Sequence, residues 1–95
     1  MKVIWTPEAR LQRITIWHHI AADSPWAALR LDARFKEAAA TLAAHPQIGK
    51  PGQVRGTREF LPHSSYRLVY ELTQDTVRVL TLLHTSRIWP PIDTR

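Results

Sequence analysis

The sequence contains no cysteine. That excludes a disulfide framework, thiolate metal sites and a cysteine nucleophile, and it suits a reducing compartment. Glycine is scarce: only Gly49, Gly52 and Gly56 occur in 95 residues. Gly49 and Gly52 flank Lys50-Pro51 ahead of a strand pattern, so they do not form a phosphate-binding loop. No apolar run approaches the ~18 residues of a membrane span. The opening MKVIWTPEAR carries Lys2 but no apolar signal core. The expectation is a soluble cytoplasmic protein with no membrane partner. Internal repeats and paired carboxylates are also missing. His18-His19 are adjacent, and adjacent helical residues do not share a face, so neither a metal nor a cofactor is expected.

What is present fits one domain over residues 1–95. The hydrophobic fraction of 44% excludes wholesale disorder. The formal charge is +5 at pH 7, which favours an acidic partner such as nucleic acid, a ribosome or an acidic protein. The basic residues are spread along the chain, so any cationic surface must be assembled by folding.

Val3-Ile4-Trp5 reads as a short strand. Thr6-Pro7-Glu8 then opens a helix: Thr6 can cap, Pro7 suits the first helical position and Glu8 complements the dipole. Leu11, Ile14, Trp17, Ile20 and Ala21 recur at helical spacing, which predicts a core-facing stripe reaching about Ala22. Ser24-Pro25 repeats the start signal. Ala28, Leu31, Phe35, Ala38, Ala39 and Leu42 form a second stripe, ending near His45 because Pro46 disfavours helix before it. The two helices should form an antiparallel hairpin whose outer faces hold Arg10, Arg13, Arg30, Arg34 and Lys36, the pattern of a solvated surface. Pro46–Gln53 reads as a loop. Three strands follow: Thr57–Leu61, Tyr66–Leu72 and Thr76–Leu83, with a turn at Thr73-Gln74-Asp75. The expected class is α+β in the order β-α-α-β-β-β, an antiparallel sheet with the helix hairpin on one face. The opposite face is expected to be free, with Arg67 and Val69 pointing to it.

This order and several motifs resemble the RelE/ParE superfamily of toxins from bacterial type II toxin–antitoxin modules. The matching pieces are Trp5-Thr6-Pro7-Glu8-Ala9, the turn from Ile20 to Pro25, His45–Gly52, Gly56-Thr57-Arg58-Glu59-Phe60, Tyr66-Arg67-Leu68-Val69-Tyr70, and His84-Thr85-Ser86-Arg87-Ile88-Trp89-Pro90. The resemblance implies a growth-inhibiting toxin restrained by a small cognate antitoxin with a DNA-binding domain. It also implies operator DNA as a partner through that antitoxin. RelE-like members cleave mRNA in the ribosomal A site, and ParE-like members poison DNA gyrase without hydrolysing nucleic acid. The leading expectation is the RelE-like endonuclease, with the gyrase inhibitor as the alternative. A degenerate toxin that only binds antitoxin is the third.

Metal-free RNA cleavage needs an activated 2′-OH, a neutralised phosphorane and a protonated leaving group. His63 and His84 are the acid–base candidates, and antiparallel pairing would bring Tyr66 and His84 to one sheet edge. Arg67 and Arg87 complete the candidate catalytic set. Arg55, Arg58 and Trp89 are candidates for substrate binding, arginine through bidentate phosphate contacts and Trp89 by base stacking. Arg67 is equally able to bridge Glu59 or Glu71, and Trp89 to pack the tail on the core. By resemblance, Arg67 falls where RelE-like enzymes carry a catalytic arginine, and His84 and Arg87 where the superfamily places functional residues after the last strand. Residues Arg58 to His63 contain no lysine, although RelE-type enzymes place catalytic lysines there. The family's C-terminal tyrosine is also absent, with Trp89 and Pro90 in that region.

Overall fold

The computed structural model describes residues 1–91. The elements are β1 (Lys2–Trp5), α1 (Pro7–Ala21), α2 (Pro25–Ala44), β2 (Lys50–Pro51), β3 (Thr57–His63), β4 (Tyr66–Leu72) and β5 (Thr76–His84). They form an α+β fold with one five-stranded sheet in the order β1-β5-β4-β3-β2. The last three strands are the antiparallel meander that the hydrophobic alternation predicts. β1 joins the same sheet but runs parallel to β5, pairing Val3 with Val77 and Trp5 with Val79, so the sheet is mixed. The Pro46–Gln53 loop also contributes the two-residue strand β2, paired with Arg58 and Glu59.

Both helix starts follow their capping signals. The Thr6 hydroxyl accepts the Ala9 N–H at 3.2 Å and donates to the Leu80 carbonyl at 3.2 Å. The Thr6 N–H bonds the Val79 carbonyl at 3.0 Å. One residue thus caps α1 and fastens it to β5. Ser24 caps α2 through the Ala27 N–H at 3.2 Å. The Arg13 guanidinium ties the two helices together, gripping Asp32 with two bonds of 2.6 and 2.9 Å. It also stacks 4.9 Å above the Trp5 ring.

The core lies between the hairpin and the sheet, with Phe35 and Leu42 from α2 against Leu68, Tyr70, Val77, Val79 and Leu82. α2 buries the stripe its spacing predicts. α1 does not: Leu11 is 64% and Ile14 48% exposed, while Ala9 is fully buried and Ile16 packs on the core. Apolar residues occur on several sides of α1, so periodicity permits two phases, and Ala9 selects the one that lets the helix approach β5 closely. Gln12 lies on the buried side of that phase. Its side-chain oxygen accepts the Leu82 N–H at 2.7 Å and the Thr81 hydroxyl at 2.9 Å. β1 pairs with β5 only from Thr76 to Val79, so Gln12 satisfies a donor on the uncovered part of that edge.

The sheet face away from the helices is less open than expected. Val69 is fully buried. Long side chains cross-link that surface, with Arg78 on Glu71 at 2.5 Å and Arg67 3.8 Å from the largely buried Glu59. Among the described residues, no helix is long and apolar enough to cross a membrane.

Candidate functional site

The strand register sets the centre of the site. His63 pairs with Tyr66 across the β3–β4 hairpin, and Tyr66 pairs with His84 on β5. The three rings therefore form a row at one end of the sheet, with centroid separations of 6.2 Å (His63–Tyr66) and 5.6 Å (Tyr66–His84). Phe35 anchors the row from α2, meeting Tyr66 edge-on at 5.6 Å.

Each histidine is held by the same local device. The Ser65 N–H donates to His63 Nδ1 at 3.0 Å, and the Ser86 N–H donates to His84 Nδ1 at 3.1 Å. The Ser86 hydroxyl lies 2.8 Å from the same nitrogen of His84. A nitrogen that accepts a backbone N–H carries no proton, so the neutral rings carry theirs on Nε2. Nε2 of each ring is then a hydrogen-bond donor. Taking a proton at that nitrogen would require first breaking the turn contact at Nδ1.

The row opens onto a groove of ≈ 640 Å³ between α2 and the sheet end, lined by Ile20, Ala27, Arg30, Leu31, Ala33, Arg34, Glu37, His63, Ser65, Tyr66 and His84. Arg30 and Arg34 line this groove while remaining exposed, as the solvated-face pattern predicts. Among the described residues neither forms an ion pair. A second groove of ≈ 500 Å³ lies on the other side of Tyr66 and His84, against α1, and takes in Leu11, Gln12, Thr15, His19 and Arg87. His84 therefore stands between the two grooves.

The remaining candidates divide by location. The Arg67 guanidinium is occupied: it donates to the carbonyls of Thr85 at 3.2 Å and Arg87 at 3.4 Å, and it faces Glu59. It folds the chain after β5 back towards the sheet and so sets where Arg87 lies. Trp89 is half-buried in that segment. Arg58 lies five residues before His63 on β3, roughly 17 Å away along the strand. It donates to the carbonyls of Gln47 at 3.2 Å and Gly49 at 2.7 Å, which braces the loop after α2. Arg55 is exposed in the turn before β3. The structure thus places His63 with His84 on one groove and Arg87 with His84 on the other, with Arg67 positioning Arg87. Arg55 and Arg58 lie at the opposite end of the sheet.

Tyr66, Arg30 and Arg34 are the site residues that sequence reasoning left out. The signal for Tyr66 was its pairing position between the two histidines. The arginines gave only their spacing of four on α2. Among the described residues, no group of three or more His, Asp or Glu side chains converges as a metal site would.

Comparison with known proteins gives this geometry its family. Residues 3–89 match the model of the ParE toxin of the type II toxin–antitoxin system, parDE. A protein of Sinorhizobium fredii provisionally named toxin Y4kP is 35% identical over 92 residues, covering 96% of this chain and 95% of that protein. Toxin RelE2 of Caulobacter vibrioides is 30% identical over 87 residues, covering 92% and 98%. A solved structure described as the chromosomal ParDE TA system from P. aeruginosa superposes with a TM-score of 0.75 at 22% identity, over 88% of this chain and 95% of that one. That likeness is one of fold. The family match spans nearly the whole chain, and the chain belongs to the ParE toxin family of type II toxin–antitoxin systems.

Proposed function

We propose that this toxin arrests growth by binding DNA gyrase and not by cutting RNA, and that its antitoxin restrains it in the cytoplasm. The observation that carries the reading is the engagement of the acid–base and phosphate candidates. His63 and His84 each accept a backbone N–H at Nδ1. The Arg67 guanidinium is spent on two tail carbonyls and Glu59. A ribonuclease needs a free base and an unspent cation at the phosphate, whereas a binding inhibitor needs only a presented surface. The segment from Arg87 through Trp89, oriented by Arg67, together with the groove holding Arg87, offers that surface. The match to the ParE toxin model supports the same branch. Operator DNA enters through the antitoxin.

A second reading keeps the ribosome as target. It is favoured by the convergence of His63, Tyr66 and His84 with Arg30 and Arg34 on one groove, and by the relative named RelE2. Induction without antitoxin, followed by pulse labelling of DNA and protein in the first minutes, separates the two. We expect DNA synthesis to stop first while translation continues, with arrest retained in His63→Ala. An early halt in translation with mRNA cut on ribosomes would replace the gyrase reading with the endonuclease. No arrest of either would leave a degenerate toxin that only binds antitoxin.

A further inference from the structure

We infer that the groove between α1 and the end of β5 is a small-molecule site that binds the anion of a medium-chain aliphatic carboxylic acid. The inference goes beyond the gyrase reading. It concerns a ligand of the toxin alone, one that would cover Arg87 whatever the target.

The two ends of this groove differ. The Thr6 hydroxyl donates to the Leu80 carbonyl, and the Gln12 side-chain oxygen accepts the Leu82 N–H. α1 and β5 therefore run in the same direction along the groove. Leu11, Thr15 and His19 are spaced four apart and form one row on α1, about 12 Å long. The row begins at the level of Leu82, where the lining is apolar: Leu11, Ile16, Leu82 and Leu83. Leu11 is 64% exposed there. The other end holds His19, His84 and Arg87. Among the described residues no aspartate or glutamate lines the groove, and Arg87 forms no ion pair. The His84 Nδ1 accepts the Ser86 N–H, so its neutral ring presents an Nε2–H donor.

This polarity selects the ligand. One guanidinium beside neutral imidazole donors matches a single negative charge, and a carboxylate takes two parallel bonds from a guanidinium. The apolar end is then covered by an alkyl chain, whose removal from water favours binding. The groove's ≈ 500 Å³ falls in the range of about 300–1,000 Å³ typical of small-ligand sites, where apolar walls give affinity and a few polar groups fix orientation. An extended peptide fits less well. β1 leaves the β5 edge after Val79, but Gln12 already occupies the Leu82 N–H on that edge, so a peptide backbone finds the donor taken. A nucleic-acid chain fits less well again. It would meet one arginine, and the Tyr66 ring is already packed edge-on with Phe35 and His84.

The test is a calorimetric titration of the full chain with sodium octanoate, kept below the concentration at which it forms micelles. We expect saturable binding at neutral pH that Arg87→Gln weakens at least about tenfold. Octanol lacks the charge and acetate lacks the chain, and each should bind at least about tenfold more weakly than octanoate. Leu11→Asp puts a like charge on the apolar end and should weaken octanoate by a similar factor. Arg30→Gln removes the same charge as Arg87→Gln but lies outside this groove, and should stay within about twofold of the parent. All three positions are exposed, and circular dichroism verifies that the variants fold. On adding octanoate, the amide NMR shifts should move most at Leu11, Thr15 and Ile16. The inference is overturned if octanoate does not bind saturably, or if Arg30→Gln and Arg87→Gln weaken it equally. It is also overturned if octyltrimethylammonium or octyl phosphate binds more tightly than octanoate, or if the shifts centre on Arg30 and Arg34. Gyrase is absent from the titration, so the ligand site and the gyrase reading fail separately.

Discussion

Replacing Tyr70 with phenylalanine tests how the helical layer is joined to the sheet. The Tyr70 ring is fully buried in the core. Its hydroxyl reaches the loop after α2, where it donates to the Pro46 carbonyl at 2.7 Å and accepts the buried Gly49 N–H at 3.0 Å. Phenylalanine keeps the packing and removes both bonds. A lost hydrogen bond costs about 0.5–1.5 kcal/mol, and a buried N–H left without a partner about 1–3 kcal/mol. The combined loss is about 2–4 kcal/mol, a large part of the ~5–15 kcal/mol that holds a domain of this kind together. A loss of 2 kcal/mol alone lowers the melting temperature of a domain this size by roughly 8–16 °C. Urea unfolding, followed by the fluorescence of the four tryptophans, gives the difference directly. A loss below ~0.5 kcal/mol would refute the claim that the phenol fastens the loop. The pH dependence is a second check. Burial raises the Tyr70 pKa, opposed in part by the Gly49 N–H and the Arg58 charge. A folded-state pKa above the unfolded value gives stability that is complete below the unfolded pKa of ~10 and is lost as pH rises through the folded one. Alkaline destabilisation above pH ~10 should therefore be shallower in Tyr70→Phe than in the parent.

Substitutions at three other positions probe neighbouring joints. Gly49→Ala would place a Cβ 2.7 Å from the Tyr70 hydroxyl and 2.8 Å from the Glu59 carbonyl; a backbone atom cannot yield as a side-chain tip can, so we expect ~1–3 kcal/mol of destabilisation by chemical unfolding, and a neutral result would refute the close approach. Gln12→Leu leaves the Leu82 N–H on the uncovered β5 edge without its acceptor; the expected cost is about 1–3 kcal/mol, with faster amide exchange at Leu82 as the specific sign, and unchanged exchange there would count against the role. Arg67→Ala frees the Thr85 and Arg87 carbonyls and leaves the largely buried Glu59 without its countercharge, so tryptic cleavage after Arg87 should accelerate. Arg67→Lys keeps a positive charge near Glu59 but loses the fork, and should show the faster cleavage with less destabilisation; parent-like cleavage in both would remove Arg67 from its positioning role.

Much of the fold was legible because its signals are local. Thr6-Pro7 and Ser24-Pro25 each place a capping hydroxyl directly before a proline, and both caps form. The long stripe of α2 outweighs Trp26 and Leu29, which lie exposed off it, whereas the residues of α1 fit two phases about equally, and what separated them was Ala9, too small to count as a core marker in a periodicity argument. The parallel direction of β1 was not legible, since a four-residue strand carries no sign of its partner or sense. The site divides along the same line. His63, Tyr66 and His84 could be aligned because a short turn between antiparallel strands fixes the register. Arg30 and Arg34 could not be assigned to the groove, because their place there depends on how α2 lies across the sheet. Arg67 shows the limit most clearly. A guanidinium suited to a phosphate is equally suited to two carbonyls and a carboxylate, because all present oxygen acceptors to the same planar donors. The residue type and its position on β4 were the same under either reading. What distinguished them was the path of the chain after β5, which brings the Thr85 and Arg87 carbonyls within reach of Arg67. That path depends on the tertiary fold, so a catalytic arginine and a positioning one read alike until the chain has been followed past its last strand.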